Sequence, residues 1–538
     1  MVASWQTGRV PARTELPHVV IVGGGIAGLA AAFFLRGTGA AVTVLEGSPR
    51  LGGKLAASEV AGIAVDAGAE ALLARRPEGT DLVRAVGLAG QLAQPGTTTA
   101  GIWTRGRLRP LPRRQLMGVP ADLDALASSG ILSASGLASA REDARRPATT
   151  RAGDVSVASY VGARFGAELV DRLVDPLLGG VYAGRSEQLS FEATLPGLAA
   201  ASRRHASLSA AAAAVLDAAV PDPAVPDPAG PDPAGPDPVG PGPAGPGPAA
   251  PRPVFVTLTG GLATLVPAVA AASGATIRTG AMVRGLARTP AGGWRLTVGS
   301  AHAPERLDAD AVVLALPPGP ASRLLAGVAG AGAAAAGLGE ISTASMAIVT
   351  LAYPDAAFPA PPQGSGYLVP AVDGHVVKAV TFSTVKWPHL RAGREPVHLV
   401  RCSVGRLGEE ALLQRDDGEL AALAAADLAA ATGVRGAPVD TRVSRWGGGL
   451  PQYTVGHLDR VARIRASVAA QPGLAVCGAS YDGIGIPACI ASARAAADQV
   501  IAGLAGWART ATSSSAWASE PASAAQVPGP SSAEADAP

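Results

Sequence analysis

The clearest alternation of apolar and polar segments lies near the start of the chain, between residues 18 and 54. A short apolar run from Val19 to Val22 is followed by a glycine cluster and by an alanine- and leucine-rich stretch that ends at Leu35. A second apolar run, from Val42 to Leu45, comes soon afterwards. Short apolar runs on either side of a helical stretch predict a β-α-β unit.

The turn before this helix reads Gly23-x-Gly25-x-x-Gly28, and Glu46 follows the second strand. Such glycines allow a tight turn and let backbone N–H groups reach a pyrophosphate at the helix N-terminus, while the acid binds an adenosine ribose. The pattern predicts dinucleotide binding, with an unphosphorylated ribose favoured over that of NADP. A glycine-rich turn in an ordinary α/β core and a membrane or signal helix are the alternatives. The three consecutive glycines and the strand that follows disfavour the membrane or signal helix.

The segment Arg50-Leu51-Gly52-Gly53-Lys54 bears on which dinucleotide is bound. A glycine pair just beyond the ribose-binding acid is the extension found where FAD lies along the sheet, and NAD domains usually lack it. We therefore predict FAD as the cofactor.

Two later apolar runs resemble buried parallel strands, from Ala311 to Leu316 and from Leu474 to Cys477. The second run is followed by a glycine-containing turn and by an alanine-rich helix that begins at Ile486-Pro487, where proline is favoured. We predict that the chain returns to the nucleotide domain in both segments. The second helix N-terminus is then expected to face the flavin.

Between these runs the pattern changes. Helical patterns prevail from a hairpin at Trp103–Pro112 to about Ala219, and strand-length apolar segments between 345 and 404 predict an antiparallel sheet. The segment Trp446–Tyr453, WGGGLPQY, is predicted as a loop.

Residues 221–253 repeat Pro-Asp-Pro-Ala-Val/Gly and then Pro-Gly-Pro-Ala-Gly. Proline at this density removes backbone donors and favours extended polyproline II, so a mobile insert without catalytic residues is expected; a proline-rich ligand for a partner is the alternative. The chain is therefore divided into a loose leader, 1–17; a discontinuous FAD-binding domain, 18–100, 254–320 and 445–503; a mainly helical domain, 101–219; a disordered insert, 220–253; a substrate domain, 321–444; and a disordered tail, 504–538.

Composition narrows the classes of function. With 538 residues the chain exceeds one compact core, and a formal net charge of +2 gives no global field for nucleic acid. Its three cysteines are odd in number and widely spaced, which disfavours disulfides and thiolate metal sites and fits a reducing cytoplasm. We expect a cytoplasmic protein without a metal ion, a nucleic-acid partner or a transmembrane segment, and peripheral membrane contact stays open.

Five internal blocks carry a narrower resemblance. They are DPLLGGVYAG at 175–184, LTGGLATL at 258–265, GYLVP at 366–370, KAVTFSTVKWPH at 378–389 and RWGGGLPQYTVGH at 445–457. Together with the FAD motifs, they resemble the flavin-dependent protoporphyrinogen/coproporphyrinogen oxidases of haem synthesis, within the monoamine-oxidase-like flavoprotein superfamily. The resemblance implies an α/β fold with a Rossmann-like, p-hydroxybenzoate-hydroxylase-like FAD domain, a mixed-sheet substrate domain and a helical domain.

The resemblance also implies oxidation of a porphyrinogen by six electrons in three flavin cycles, with O2 as acceptor and H2O2 as product. Coproporphyrinogen III is the expected substrate, because the sequence has the character of a GC-rich bacterial enzyme and its arginines suit four propionates; protoporphyrinogen IX is the alternative. Such chemistry needs mainly orientation and an apolar slot. No Ser-His-Asp or metal-ligand constellation is evident in the sequence, and no catalytic residue or general base is assigned.

Carried over position by position, the resemblance implies that FAD is lined by Gly23, Gly24, Gly25, Ile26, Ala27, Gly28, Glu46, Gly47, Lys54, Gly68, Ala69, Glu70, Ala71, Val283, Ile484, Gly485 and Ile486. One departure is Ala69, where the family often has proline. We further predict that Arg75, Arg76 and Lys386 hold substrate propionates, since arginine offers a bidentate fork for carboxylates. Solvated ion pairs at the surface are the alternative for these three cations.

Other functions keep the same FAD segments. An amine oxidase of the superfamily usually needs an aromatic cage beside the flavin, but the C-terminal segment carries only Tyr481. A carotenoid desaturase should carry a hydrophobic membrane-docking surface. A non-catalytic flavin-binding protein is the alternative from a different class.

Overall fold

The computed structural model describes residues 16–147, 151, 153–218, 254–391 and 396–516, with side chains described to residue 504. The predicted proline-rich insert lies outside the described residues. So do most of the predicted leader and the end of the predicted tail.

A five-stranded parallel sheet joins the predicted nucleotide-binding segments. Its order is Thr276–Arg278, Ala41–Leu45, His18–Val22, Ala311–Leu314 and Leu474–Val476. The first strand of the chain lies in the middle, where Val20 pairs with Thr43 on one side and with Val312 on the other. The β-α-β unit is confirmed, and the predicted strands near 311 and 474 join it in one sheet.

Helices and a second small sheet cover the two faces of this parallel sheet. On one face, Ile26–Leu35 packs against Leu265–Ser273 and Ile486–Ala516. Leu29 and Leu35 are fully buried there, and each such side chain contributes about 2 kcal/mol. The other face is covered by the antiparallel strands Val283–Arg288, Trp294–Gly299 and Pro304–Ala309 and by the helices Pro318–Ala326, Gly332–Gly339 and His457–Ala469.

A seven-stranded mixed sheet lies beside the nucleotide-binding part. Its order is Asp440–Pro451, Thr343–Pro354, Val397–Val404, Val377–Phe382, Gly366–Leu368, Gly101–Thr104 and Arg107–Pro110. The pairs are antiparallel except for Gly366–Leu368, which runs parallel to Gly101–Thr104. The helix Asp417–Thr432 packs against this sheet.

This sheet corrects two predictions. Trp446–Pro451 is the end of a strand and not a loop, because it pairs with Thr343–Pro354 across a register shift that accommodates the glycines. The hairpin at 101–110 belongs to the mixed sheet and not to a helical domain, because Tyr367 and Leu368 pair with its first strand. The predicted boundary at 445 also divides one strand, and the division into domains otherwise stays a prediction.

A helical layer follows the hairpin in sequence. Its elements are Leu123–Ser129, Ala134–Arg141, Val157–Phe165, Ala167–Leu169, the π-helical turn Val170–Val174, Asp175–Tyr182, Phe191–Thr194, Pro196–Ser202 and Leu208–Ala218. Phe165, Leu173 and Phe191 are fully buried in its shared core. Side-chain oxygens of Asp122 and Ser156 cap two of the helices, which fixes where each begins.

Short elements connect these layers. They are the strands Ala57–Val60, Ile63–Asp66, Leu72–Leu73, Leu92–Ala93, Gln115–Leu116, Val119–Pro120 and Phe255–Leu258, the helices Pro77–Ala85 and Ser383–Lys386, and the 3-10 turns Ala89–Gln91, Glu142–Ala144, Leu262–Thr264, Asp355–Ala357, Ala371–Asp373, Pro388–Arg391 and Glu410–Gln414.

The last helix is longer than predicted. Ile486–Ala516 continues past residue 504, so the prediction of a disordered tail is wrong over its first part. Alanines recur through this stretch, and their high helix propensity favours continuation. Within the described residues, no helix combines the length and apolarity that a membrane span requires.

Candidate active site

The first glycine motif forms a cradle whose positions differ in what they touch. A Cβ atom at Gly28 would lie 1.9 Å from the carbonyl oxygen of Gly23, and one at Gly23, whose φ is +110°, would lie 2.4 Å from that of Ala315. A Cβ at Gly25 would meet no protein atom within 4 Å. Gly23 and Gly28 are therefore required by close packing, whereas Gly25 borders open space.

The helix that starts at Ile26 leaves its N-terminus free for an anion. Its N-cap, Gly25, provides no side-chain hydrogen bond, and the first turn contains no acidic residue. The first N–H groups of a helix lack intrahelical partners and carry its positive dipole end. Together with the open space at Gly25, this fits the pyrophosphate of a dinucleotide.

Glu46 lies at the adjacent strand end. Its Oε2 accepts a 2.7 Å hydrogen bond from the Gly24 N–H, and its Oε1 accepts a 2.8 Å bond from the Ser48 N–H. Each carboxylate oxygen keeps capacity for a further donor, as ribose hydroxyls require. Ala281 N donates to the Glu46 carbonyl at 2.8 Å, which places the predicted Val283 close to this end of the site.

The second glycine pair packs against the first motif. Gly52 N donates to the Gly24 carbonyl at 2.8 Å, and a Cβ at Gly53 would lie 3.4 Å from the Cα of Gly25. Lys54 follows, where the surrounding protein atoms lower the pKa of its ammonium and the nearby Cys489 opposes this effect. The FAD extension thus lies beside the first turn of the last helix.

That last helix presents the second free N-terminus. It begins at Ile486 after Gly485, which is exposed, and its first turn contains no acidic residue. The preceding Ile484 is partly exposed and packs against the core of the helical layer. The predicted residues 484–486 therefore border both the nucleotide-binding part and the helical layer.

Gly68 is held tightly at the other end of the site. A Cβ there would lie 2.1 Å from the Lys54 carbonyl oxygen and 3.0 Å from Cζ2 of Trp446. Trp446 Nε1 donates to the Ala67 carbonyl at 3.1 Å, and Arg401 Nη2 donates to the Gly68 carbonyl at 2.6 Å. Two side chains of the mixed sheet therefore fix the backbone on which the predicted flavin contacts lie.

Glu70 links the same loop to two cations. Its Oε1 lies 2.8 Å from Lys386 Nζ, and its Oε2 lies 2.5 Å from Arg401 Nη1. Burial alone would raise the pKa of Glu70, but Lys386 and Arg401 outweigh that effect and lower it to about 2. The carboxylate is therefore ionised and doubly paired at neutral pH.

The three predicted substrate cations have different surroundings. Arg75 is exposed, and Arg76 is 44% exposed with its guanidinium 2.6 Å from Glu78. Lys386 is only 17% exposed and is already paired with Glu70. Its ammonium also lies 5.8 Å from the ring centroid of Phe255, which pairs across the strands with Leu73, two residues before Arg75. Lys386 thus lies near the strand that precedes Arg75 and Arg76, and the role of all three cations stays a prediction.

One face of the central strands of the mixed sheet carries partly exposed side chains. Leu368, Ala379 and Ser403 lie on neighbouring central strands and are partly exposed, whereas Val380 and Cys402 on the opposite face are buried. Leu368 on this face also packs against the core of the helical layer. We define these three residues with Met346 as the sheet wall.

The family of flavin containing amine oxidoreductases matches residues 26–501 of the chain. The chain belongs to this family. It is 38% identical to a coproporphyrinogen III oxidase of Mycobacterium tuberculosis over 90% of this chain and 97% of the relative. A protoporphyrinogen oxidase of Bos taurus is 30% identical over 90% of this chain and 98% of the relative. A crystal structure of a putative protoporphyrinogen oxidase from Exiguobacterium is similar with a TM-score of 0.75 and 30% identity, covering 90% and 98% of the two chains.

Membership of this flavoenzyme family confirms the predicted resemblance, fold class, oxidoreductase activity and flavin cofactor. The residues present fit the dinucleotide form, FAD, because two free helix N-termini, the open space at Gly25 and the Glu46 carboxylate lie along one sheet edge. When bound, FAD supplies the two-electron acceptor of the oxidation. The assignment of individual FAD contacts stays a prediction.

Sequence reasoning missed two residues of this flavoenzyme site, Arg401 and the indole of Trp446. Both residues are more than 300 positions away from the loop at 67–70 in the sequence, and they reach it from strands of the mixed sheet. The sequence feature that could have indicated Arg401 is its charge within the otherwise largely apolar strand VHLVRCSV. A charge inside a buried strand requires a partner, and here that partner is Glu70.

The cysteines of the described residues are buried, and these residues hold no metal cluster. Cys402, Cys477 and Cys489 are buried, and burial raises the pKa of each thiol, that of Cys489 to about 11. Across the described ranges, no group of three or more histidine, cysteine or acidic side chains could hold a metal ion.

Proposed function

We propose that the chain oxidises coproporphyrinogen III to coproporphyrin III, with O2 as acceptor and H2O2 as product, in the cytoplasm. The observation that carries the proposal is 38% identity to a coproporphyrinogen III oxidase over 90% of the chain. The sheet wall is compatible with it, because its partly exposed side chains offer a surface on which a flat macrocycle packs.

The chain's residues contribute orientation. Gly25 and Glu46 hold the dinucleotide, while Arg401 and Trp446 keep the loop at 67–70 in one conformation beside the sheet wall. A preformed geometry of this kind lowers the barrier by aligning the donor carbon of the substrate with the cofactor. Among the described residues, we assign no side chain that removes a proton from the substrate. The pyrrole nitrogens of the substrate stabilise the positive charge that develops on it.

The choice between the two porphyrinogens rests on the number of substrate carboxylates that Arg75, Arg76 and Lys386 would bind. Coproporphyrinogen III carries four propionates, and Arg75 and Arg76 are two cations near the same edge that lie outside the Glu70 cluster. Lys386 contributes only by sharing its ammonium between Glu70 and a propionate. Protoporphyrinogen IX is the alternative, which the bovine relative favours by its name.

Aerobic turnover of the purified flavoprotein tests the proposal. We expect coproporphyrin III fluorescence to appear with O2 uptake and H2O2 release, at a higher kcat/KM than for protoporphyrinogen IX. Preferential oxidation of protoporphyrinogen IX would favour the alternative substrate. Turnover of an amine or a carotenoid precursor with neither porphyrinogen oxidised would contradict the proposal.

A further inference from the structure

The turn at 479–482, which leads into the last helix, is contacted by the neighbouring segment 453–465. Tyr453 Oη donates to the Ala479 carbonyl at 2.7 Å, and His457 Nε2 lies 3.2 Å from the Tyr481 carbonyl oxygen. Further along the same helix, Arg465 Nη1 lies 2.9 Å from Asp482 Oδ1. Three side chains between 453 and 465 therefore contact three residues of the turn at 479–482.

The geometry fixes the tautomer of His457. A carbonyl oxygen only accepts, so Nε2 carries the proton and donates it to Tyr481. His457 is fully buried, and burial lowers its pKa to about 4; the Tyr481 carbonyl, Asp482 and Asp154 raise this pKa, whereas Arg460 lowers it. The imidazole is therefore neutral at physiological pH and acts as a fixed N–H donor.

Tyr453 and His457 form a rigid pair. Their rings stack with centroids 3.8 Å apart and an interplanar angle of 14°, and Tyr453 is only 2% exposed. The backbone before His457 is also fixed, because Asp154 Oδ2 accepts a 2.8 Å bond from the Gly456 N–H. Neither ring can turn without displacing the other, so the two donors keep constant positions.

We propose that Tyr453 and His457 are positioning residues that orient the turn at 479–482 and thereby aim the N-terminus of the helix Ile486–Ala516 at the flavin. These donors hold the carbonyl groups of Ala479 and Tyr481 in place. The chain continues from this turn to Gly485 and Ile486, which are predicted to contact FAD. This inference rests on the flavin of the family and is independent of which porphyrinogen is oxidised.

Three substitutions separate the donors from the packing. Tyr453→Phe removes the hydroxyl and keeps the stacked ring, His457→Leu removes the N–H donor, and His457→Gln restores an N–H donor. Arg463→Ala is the matched control, since Arg463 is an exposed residue of the same helix. The measurements are the FAD dissociation constant, the flavin midpoint potential and the melting temperature of the apoprotein.

We expect Tyr453→Phe and His457→Leu each to raise the FAD dissociation constant about three- to tenfold, as the loss of one buried hydrogen bond predicts. The midpoint potential should shift in both variants, His457→Gln should recover most of the affinity, and Arg463→Ala should match the parent. If His457→Leu does not fold, Tyr453→Phe and His457→Gln decide the question.

Unchanged FAD affinity and unchanged potential in Tyr453→Phe and His457→Leu would overturn the inference. A lower melting temperature of the apoprotein with normal FAD affinity would equally overturn it, because that pattern describes a purely structural contact.

Discussion

The two ends of the cofactor site are built in different ways. At the end predicted to bind adenosine, Gly23 to Gly28 and Glu46 come from one β-α-β unit, and backbone groups make most of the contacts within it. At the end predicted to bind the flavin ring, the loop at 67–70 is held by the side chains of Arg401 and Trp446 from the mixed sheet. The first end is a local motif, and the second depends on tertiary packing between distant segments.

This difference has a consequence for stability and for specificity. A site made of backbone groups tolerates substitution only at positions that do not require glycine. A site held by side chains, in contrast, links the loop at 67–70 to the mixed sheet. A buried charge cluster such as Glu70 with Lys386 and Arg401 is costly to break, because an unpaired charge stays behind. Changes at the ring end should therefore alter both folding and flavin geometry.

The largest effect is expected at the adenosine end, where two glycines of one motif should fail differently. Gly28→Val should abolish folding of the nucleotide-binding unit, because even a Cβ atom would lie 1.9 Å from the Gly23 carbonyl oxygen. Gly25→Val should fold but lose FAD, because its side chain would fill space that protein atoms leave open. Circular dichroism and flavin absorbance separate the two outcomes. A yellow, stable Gly25→Val protein would show that the pyrophosphate lies elsewhere.

At the ring end, Arg401→Met should lower the free energy of unfolding by about 3 to 5 kcal/mol, since it removes a partner of a buried carboxylate. The double variant Arg401→Met/Glu70→Gln should recover part of that loss. Urea denaturation and flavin content are the measurements. Arg415→Met is the control, because the Arg415–Glu419 pair is 3.8 Å apart and about half exposed, so its loss should cost about 0 to 1 kcal/mol. Equal losses for Arg401→Met and its control would remove the distinction between the two ends.

Arg75 and Arg76 sharpen the comparison, because they lie outside the Glu70 cluster and should affect turnover without affecting FAD binding at either end. Arg75→Ala and Arg76→Ala should each raise KM for coproporphyrinogen III about tenfold, which is the worth of one charge-assisted hydrogen bond. Lys386→Ala should raise KM and also reduce stability, because it leaves Glu70 with Arg401 alone.

The matched control for the two arginines is Arg84→Ala, because Arg84 lies on the helix that follows them, its side chain is 59% exposed and it pairs with Asp81. A smaller penalty is expected for protoporphyrinogen IX, which has fewer carboxylates. If both arginine variants have the same KM as the control, the prediction that Arg75 and Arg76 bind substrate propionates is wrong.

A further effect concerns stability in acid. The folded-state pKa of Glu70 is lowered from 4.5 to about 2, so Glu70 contributes stability that is present above pH 4.5 and is lost as the pH falls towards about 2. Glu70→Gln should therefore unfold with a flatter pH dependence than the parent in this window. Identical acid-unfolding slopes in the two proteins would mean that the ion pairs contribute no linkage.

The two ends also differ in how much of them the sequence predicts. Strand, turn, helix and Glu46 follow from spacing alone, because each contact spans few residues. The hairpin at 101–110 was predictable as a hairpin, but its place in the mixed sheet depends on pairing with Tyr367 and Leu368. The strand ending at Pro451 has three glycines that indicate a loop, and only its pairing with a distant strand fixes it as extended. Glu70 was predicted as a flavin contact, whereas its two partners could be found only in three dimensions.

Anaerobic mixing of the oxidised flavoprotein with coproporphyrinogen III, protoporphyrinogen IX and a panel of amines tests the central claim most directly. The rate of loss of the flavin absorbance measures the reductive half-reaction alone, without the electron acceptor. We predict that coproporphyrinogen III bleaches the flavin fastest, protoporphyrinogen IX more slowly and the amines not at all. Rapid bleaching by an amine, with no bleaching by either porphyrinogen, would contradict the account.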